Sequence, residues 1–422
     1  MLIGTLISNI LNIILVKVLT NRLSTEDFGT YSLIMAFTSF PQIILLAPLS
    51  AAIFPFFKKN DPVESITKLQ NNIYELFIFI NMILLVIPVM AWGTCLLFQI
   101  SWSEYIQFFF LAVFFSGTVS ILSIMDSISL ANSKIKLFTL FPLFNLVLKI
   151  LIALILFVYD AGPIRLIVYF SIGQFFFFLI EYAYLRRKKI ILFSLSFPLK
   201  SVGNIWKNQK KEIIIYSSNL TLWGFFSWLQ AFFDKWFLHQ YFTSVEVGIY
   251  SVYFQYGFLP FVILSSVVSQ YITPKYYANK VDYQSCMNFM QRLFKYLYIT
   301  FPILLLGAPV IAYFLSPMLI ELLTNSSYLK YIAVFPWIVS AGTFYFYGQI
   351  FAVPLMSKEL VGRIRMPKIV SSLFAVLLFG ILTPKYGVRG VVFSLLIANI
   401  FFLIIILKKN RNYMLKLSER SR

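Results

Sequence analysis

LSTEDFGTYS at Leu23–Ser32 returns 219 residues later as FTSVEVGIYS at Phe242–Ser251. Residues 20–61 slide onto 239–280 without a gap. Gly29 falls on Gly248, Tyr31 on Tyr250, Ser32 on Ser251, Pro41 on Pro260, Pro55 on Pro274 and Asn60 on Asn279. Ile44, Leu45, Ser50 and Ile53 also meet their like, so ten of the 42 paired positions are identical. An apolar bias in composition is a poor explanation of the Gly and Pro matches, so the chain is read as internally duplicated.

The duplicated stretch carries its own structural instructions. Ser24-x-x-Asp27 and Thr243-x-x-Glu246 both read as capping boxes, in which a hydroxyl serves an orphan N–H and the acid three residues on reaches back. Each starts a helix, and the Gly two residues later lets a neighbour approach. A long apolar run follows, interrupted by Pro41 and Pro48 in one copy and by Pro260 in the other, with Pro55 and Pro274 at its far end. Proline inside a spanning helix frees a carbonyl and permits a bend, so Pro41 and Pro260 are hinge candidates.

Composition sets the class. Apolar residues make up 60% of the 422, charged residues 12%, and the mean hydropathy is +0.83, which excludes an ordinary soluble globule. Apolar runs long enough for a hydrocarbon core predict twelve spans at 2–20, 28–57, 72–98, 104–130, 138–159, 164–185, 212–241, 247–275, 289–314, 328–356, 367–384 and 388–407. The expected fold is therefore an all-α polytopic membrane protein, with twelve transmembrane helices in two six-helix lobes. An N-lobe at 1–185 and a C-lobe at 212–407 are joined by a basic linker at 186–211, and a basic tail follows at 408–422. The basic ends and apolar interior of the linker suit an anionic membrane surface, and a solvated linker is the alternative. Cys95 and Cys286 form neither a disulfide framework nor a metal cluster, and read as buried small hydrophobes. No cleavable signal is evident.

The net charge of +19 is mainly a topology signal and not a nucleic-acid footprint. With the amino terminus inside, 27 of the 35 Lys and Arg fall in cytoplasmic segments. Outside loops hold only Arg22, Arg165, Lys330, Lys385 and Arg389, so both termini are expected to be cytoplasmic. Six spans separate each residue from its repeat partner, so both copies point the same way through the membrane. A parallel repeat with a cavity at the interface of its halves is the expectation. Span 7 begins near Glu212, which the offset maps seven residues before Met1, so the first copy is expected to lack a turn or two.

Signatures of enzyme chemistry are missing. The sequence holds no G-x-S-x-G, no Walker loop and no carboxylate cluster in a soluble loop. The single histidine, His239, reads as an interfacial polar residue at the outer end of span 7. No cofactor and no metal site is expected, and uphill transport would have to draw on an ion gradient or on downstream consumption of substrate.

Charges inside spans are informative, because each costs at least ~2.5–3.5 kcal/mol at mid-membrane. Lys149 lies near the middle of span 5, where four methylenes reach neither surface. Asp234 and Lys235 sit in the outer half of span 7. Lys17 lies near the outer end of span 1, and the offset sets it against Trp236, one residue from Lys235. Asp126 and Glu181 are close enough to inner ends for snorkelling. Asp234 and Lys235 can also neutralise each other as a pair, although adjacent helical residues diverge by 100°, and without substrate Asp234 is the nearest acid in sequence to serve a cavity lysine.

At LSTEDFGTYS, at its echo FTSVEVGIYS and at DKWFL (Asp234–Leu238), the chain resembles the polysaccharide-biosynthesis transporters, the O-antigen flippase family. That family shares a superfamily with multidrug and toxin extruders and with lipid II flippases. The likeness spans the full length, although lipid II flippases generally carry fourteen spans. It implies translocation of undecaprenyl-diphosphate-linked oligosaccharide, an O-antigen or capsule repeat unit, from the inner to the outer leaflet of the bacterial inner membrane. It also implies alternating access, a service to lipopolysaccharide and polysaccharide synthesis, and association with the polysaccharide polymerase machinery. The basic residues that match a cation-lined cavity for the charged head are Lys17, Lys149 and Lys235, and Asp234 is the candidate for ion coupling. Two other functions compete. A polysaccharide polymerase or ligase would need a large outside loop, and the longest expected one is Leu315–Tyr328. A small-molecule extruder of the same superfamily would suit acidic cavity residues, whereas the interior here leans cationic.

Overall fold

The computed structural model describes residues 2–57, 61–98, 103–159, 162–195, 209–279, 283–356 and 361–420. Among them there is no strand, and the helical segments correspond one to one with the twelve expected spans. They are α1 (Leu2–Arg22), α2 (25–56), α3 (Val63–Phe98), α4 (Ser103–Ala131), α5 (Ile135–Leu156), α6 (Pro163–Arg187) and α7 (Gln209–Tyr241). The remainder are α8 (244–279), α9 (Tyr283–Leu323), α10 (326–356), α11 (Val361–Tyr386) and α12 (Val388–Arg420). Ten of the twelve, all but α1 and α7, contain described stretches long and apolar enough to cross a membrane. The protein is a many-span membrane protein. It divides into two compact units, Met1–Trp228 and Leu229–Arg422, and the division falls inside α7. Lys58, Lys59, Asn60, Lys200, Lys207, Lys280, Lys358 and Arg422 lie outside the described residues, as do the side chains of Cys95 and Cys286.

Both repeats start at the expected caps, the first with one arm of its box and the second with both. Ser24 precedes α2 in an extended conformation, and its Oγ accepts the Asp27 N–H at 3.0 Å. At Thr243 both arms of the capping box are present, with Oγ1 accepting from Val245 N–H and the Thr243 N–H donating to Glu246 Oε2. Glu246 does more than cap: it accepts from Lys330 Nζ at 3.1 Å and ties the start of α8 to the start of α10.

Each repeat helix then changes its winding. In α2 the π-helical turn Gln42–Leu46 separates Thr25–Pro41 from Ala47–Phe56. In α8 the π-helical turn Phe254–Phe258 separates Ser244–Tyr253 from Leu259–Asn279. A proline lacks an N–H for the carbonyl four residues back and crowds it, and a π turn relieves both. Pro48 and Pro260 each stand two residues beyond their π turn, so Ile44 and Tyr256, four residues before them, lie inside it. Pro48 is thus the local counterpart of Pro260, whereas Pro41 ends the segment before the turn. The turns are seven residues apart in repeat register, close to two helical turns, which keeps them on similar faces.

In the first unit, α7 packs tightly on the π turn of α2. A Cβ on Gly224 would come within 2.6 Å of the Ile43 carbonyl oxygen, so only glycine allows this approach. Farther along, Trp228 Nε1 donates to the Ala36 carbonyl at 3.1 Å and to Ser39 Oγ at 3.0 Å. In the second unit Gly257, inside the other π turn, lies against Ile338 and Phe335 of α10.

Two expectations from sequence are corrected. The outside loop at Leu315–Tyr328 does not form, because α9 continues through Pro302, Pro309 and Pro317 to Leu323. What remains is a short turn in which Asn325 Oδ1 accepts the Ser327 N–H at 3.0 Å. The start of the linker lies on protein and not on a membrane surface. Ile190, Ile191 and Phe193 are buried in the core of the first unit. Gln70 of α3 anchors this segment, donating to the Ile190 carbonyl and accepting from Leu192 N–H.

Candidate functional site

Asp234 and Lys235 occupy the interior of the second unit, where they are 0% and 6% exposed. Lys235 Nζ lies 3.6 Å from Asp234 Oδ1, and the same oxygen accepts the Lys235 backbone N–H at 2.7 Å. The pair forms despite the 100° divergence, because the lysine's four methylenes fold its ammonium back onto the acid. Tyr250 of α8, also fully buried, donates its hydroxyl to Asp234 Oδ2. The ammonium is also enclosed by the rings of Phe254, Phe232 and Tyr250, with centroids at 4.6, 5.3 and 5.6 Å. Such an arrangement satisfies both charges without water, through an ion pair, two hydrogen bonds to the acid and three cation–π contacts. One turn earlier on the same face of α7, Gln230 accepts from Lys368 Nζ at 2.6 Å and donates to Asn399 Oδ1 at 3.2 Å. Lys368 is 4% exposed over the Phe402 ring and belongs to a buried polar network.

The first unit holds the other two expected cations in a different state. Lys149 is half-buried on α5, with Nζ 5.4 Å from the Phe115 ring centroid. It makes no ion pair or hydrogen bond to a described residue. Lys17 of α1 is likewise half-buried and makes no ion pair there. Helices α1 and α5 pack against one another, and Gly4 abuts Thr139 closely enough that a Cβ would meet its Cγ2 at 1.8 Å. Span parity makes the two helices parallel, so that register sets Lys17 level with Ile152, within a turn of Lys149. Glu181 does not snorkel: it is 1% exposed, and its Oε1 has no hydrogen-bond partner. Asp126 is half-buried with Oδ1 in the same condition. Pro41 and Pro260 flank the π turns as described above, and His239 is exposed at the end of α7. Among the described residues no group of three or more His, Cys, Asp or Glu could hold a metal ion.

Tyr250, Phe254 and the Gln230–Lys368–Asn399 network are the residues that sequence reasoning missed. Tyr250 carried a signal, since it is one of the identities of the repeat. Its counterpart Tyr31 has no acid to meet, because the offset maps Asp234 and Lys235 to Leu15 and Val16.

Residues 1–275 match the model of a family described as polysaccharide biosynthesis protein. The chain belongs to that family. No curated protein matches the chain in sequence. Among solved structures, the family member resembles an inward-facing multidrug resistance MATE transporter of the MOP superfamily, at TM-score 0.70 and 13% identity, over 98% of this chain and 96% of that one. It also resembles the lipid II flippase MurJ in an inward closed conformation, at TM-score 0.67 and 18% identity, over 99% and 90% of the two chains. A MOP superfamily transporter from Pyrococcus furiosus, whose title describes a binding pocket of reverse polarity, matches at TM-score 0.60 and 13% identity over 99% and 95%. Identities this low establish a shared fold. The polysaccharide biosynthesis family member therefore has the two-lobe, all-helical architecture of MOP-superfamily transporters.

Proposed function

We propose that this protein flips an undecaprenyl-diphosphate-linked oligosaccharide, an O-antigen or capsule repeat unit, from the inner to the outer leaflet of a bacterial inner membrane. It does so by alternating access, with both termini in the cytoplasm and the lobes at 1–185 and 212–407 as its moving parts. Membership of a polysaccharide biosynthesis family supports the substrate class, and the fold of MOP-superfamily transporters supports the activity. The observation that carries the reading is the state of Lys149. A cation in the middle of a spanning helix, half-buried and without an anionic partner among the described residues, is costly until an anion meets it. A diphosphate head is such an anion, and Lys17, within a turn of Lys149, adds a second positive charge.

Lys235 plays a different part in this reading. Its charge is already balanced by Asp234, so substrate phosphate engages it only by displacing the carboxylate. The freed Asp234 then takes a proton from outside, which couples inward proton movement to outward flipping. Asp234→Asn should weaken the dependence on a proton gradient more than it weakens substrate binding. A variant that still responds fully to an uncoupler contradicts this coupling role.

The reading as a whole is tested by deleting the gene. A lipid-linked repeat unit should accumulate on the inner leaflet while its polymer disappears from the surface. Unchanged polymer, with increased sensitivity to cationic drugs, would instead identify a small-molecule extruder.

A further inference from the structure

One end of the first unit gathers positive charge from two helices. Phe141 of α5 and Tyr184 of α6 meet edge to face, with ring centroids 5.7 Å apart. Consecutive spans run in opposite directions, so the start of α5 and the end of α6 lie together. Lys134 and Lys136 stand seven and five residues before Phe141, and Arg187, Lys188 and Lys189 three to five after Tyr184. At 1.5 Å per residue, all five fall within roughly 11 Å of that contact along the helix axes. All five are exposed. No Asp or Glu occurs between Asp126 and Asp160 or between Glu181 and Glu212. Of the acids on the elements packed there, Glu181 is buried inside the unit and Glu75 of α3 pairs with Lys210. Arg186 is turned inward, donating to the Tyr182 hydroxyl and the Phe193 carbonyl.

The backbone does not need this charge. Lys189 has a φ of +54°, a left-handed conformation that glycine adopts more cheaply. The turn closes α6, with Ile190 N–H donating to the Leu185 carbonyl at 3.0 Å, and then carries Ile190 and Ile191 into the core. Glycine would make the same turn. Cations in the last turn of α6 complement its helix dipole, but at the start of α5 that dipole opposes Lys134 and Lys136. The first turn of α5 also has no acid to offset them. Away from the cations, both helices continue as exposed apolar stripes, Leu140 and Phe144 on α5 and Ile180 and Phe176 on α6. An anion that carries its own apolar chains meets the charge and the stripes together.

We propose that Lys134, Lys136, Arg187, Lys188 and Lys189 bind one anionic phospholipid. Its phosphate sits among the cations, and its acyl chains follow the exposed stripes of α5 and α6. Lys149 is thirteen residues beyond Lys136, about 20 Å along α5, so this site is separate from the cations assigned to the transported diphosphate. Native mass spectrometry of the full chain in detergent tests the proposal, with phosphatidylglycerol and phosphatidylcholine supplied at equal concentration. Wild type should retain phosphatidylglycerol several-fold better, since each cation near an anionic surface is worth roughly a fivefold gain. Lys134→Gln with Lys136→Gln, and separately Lys188→Gln with Lys189→Gln, should each remove most of that preference. Lys408→Gln with Lys409→Gln, which discharges two exposed lysines of α12, should keep it. Lys189→Gly separates binding from folding: retention of phosphatidylglycerol should fall while the melting temperature holds or rises. Equal retention of the two lipids by wild type overturns the proposal. So does a preference that survives both pairs of substitutions, or one that the α12 pair reduces as much. If one pair fails to fold, the pair on the other helix decides.

Discussion

Asp234 and Lys235 are neighbours in sequence, yet their energetics are those of a buried tertiary contact. Both side chains are out of solvent, so removing one partner strands the other's charge in a low-dielectric interior. Asp234→Ala should therefore lower the stability of the protein by about 3–5 kcal/mol, and adding Lys235→Met should restore most of the loss. Thermal unfolding of the single and double variants in nanodiscs measures this, and an Asp234→Ala variant as stable as wild type would contradict the buried pair. Tyr250→Phe deletes only a hydroxyl that donates to the acid, and should cost about 1.5–3 kcal/mol by the same measurement. At this scale the sequence announced which residues are expensive, because a charge within an apolar run is visible without coordinates. It did not announce what satisfies them. Phe254 and Phe232 are two aromatics among 72 Phe and Tyr, and nothing but the fold distinguishes them. Lys368 is a related case, since its place near a span's end shows neither its burial nor its partner Gln230.

Helices that duplicate one another also each break at a π turn, seven residues apart in repeat register, and the break explains how long apolar segments gain a flexible point without losing their backbone bonding. In α2 and α8 the π turn is two residues ahead of a proline, Pro48 in one and Pro260 in the other. If these turns are the hinges of transport, Pro48→Ala together with Pro260→Ala should slow translocation at equal membrane abundance. Pro41→Ala, which alters the preceding segment, should do less. Equal rates for the Pro48/Pro260 double variant and wild type would remove the hinge role. Caps and segment order were legible, since Ser24-x-x-Asp27 and Thr243-x-x-Glu246 are local signals read over four residues. The pairing of Pro41 with Pro260 followed the gapless register and missed the local one, because a π turn adds a residue to the helix without marking the sequence. The early end assigned to α9 has a similar origin. Pro317 is tolerated inside a membrane helix, where the freed carbonyl finds other partners, and the helix goes on to Leu323.

For the whole molecule, twelve helical segments and the repeat were readable from hydropathy and from the 219-residue offset, because membrane spans must be long and apolar. The sidedness of Lys and Arg adds an orientation that reporter fusions can check: a reporter at the carboxyl terminus should behave as cytoplasmic, and one inserted at Asn325 as external. The reverse pattern would invert the topology. The central claim is transport of a lipid-linked anion, and it is tested most directly by reconstitution. Purified protein is placed in liposomes carrying a fluorescent undecaprenyl-diphosphate-linked oligosaccharide, and movement between leaflets is followed with a membrane-impermeant quencher. Wild type should speed the movement well above protein-free liposomes, Lys149→Ala should abolish most of that gain, and Lys149→Arg should retain part of it because the charge survives. Movement no faster than in protein-free liposomes, or a Lys149→Ala rate equal to wild type, would contradict the account.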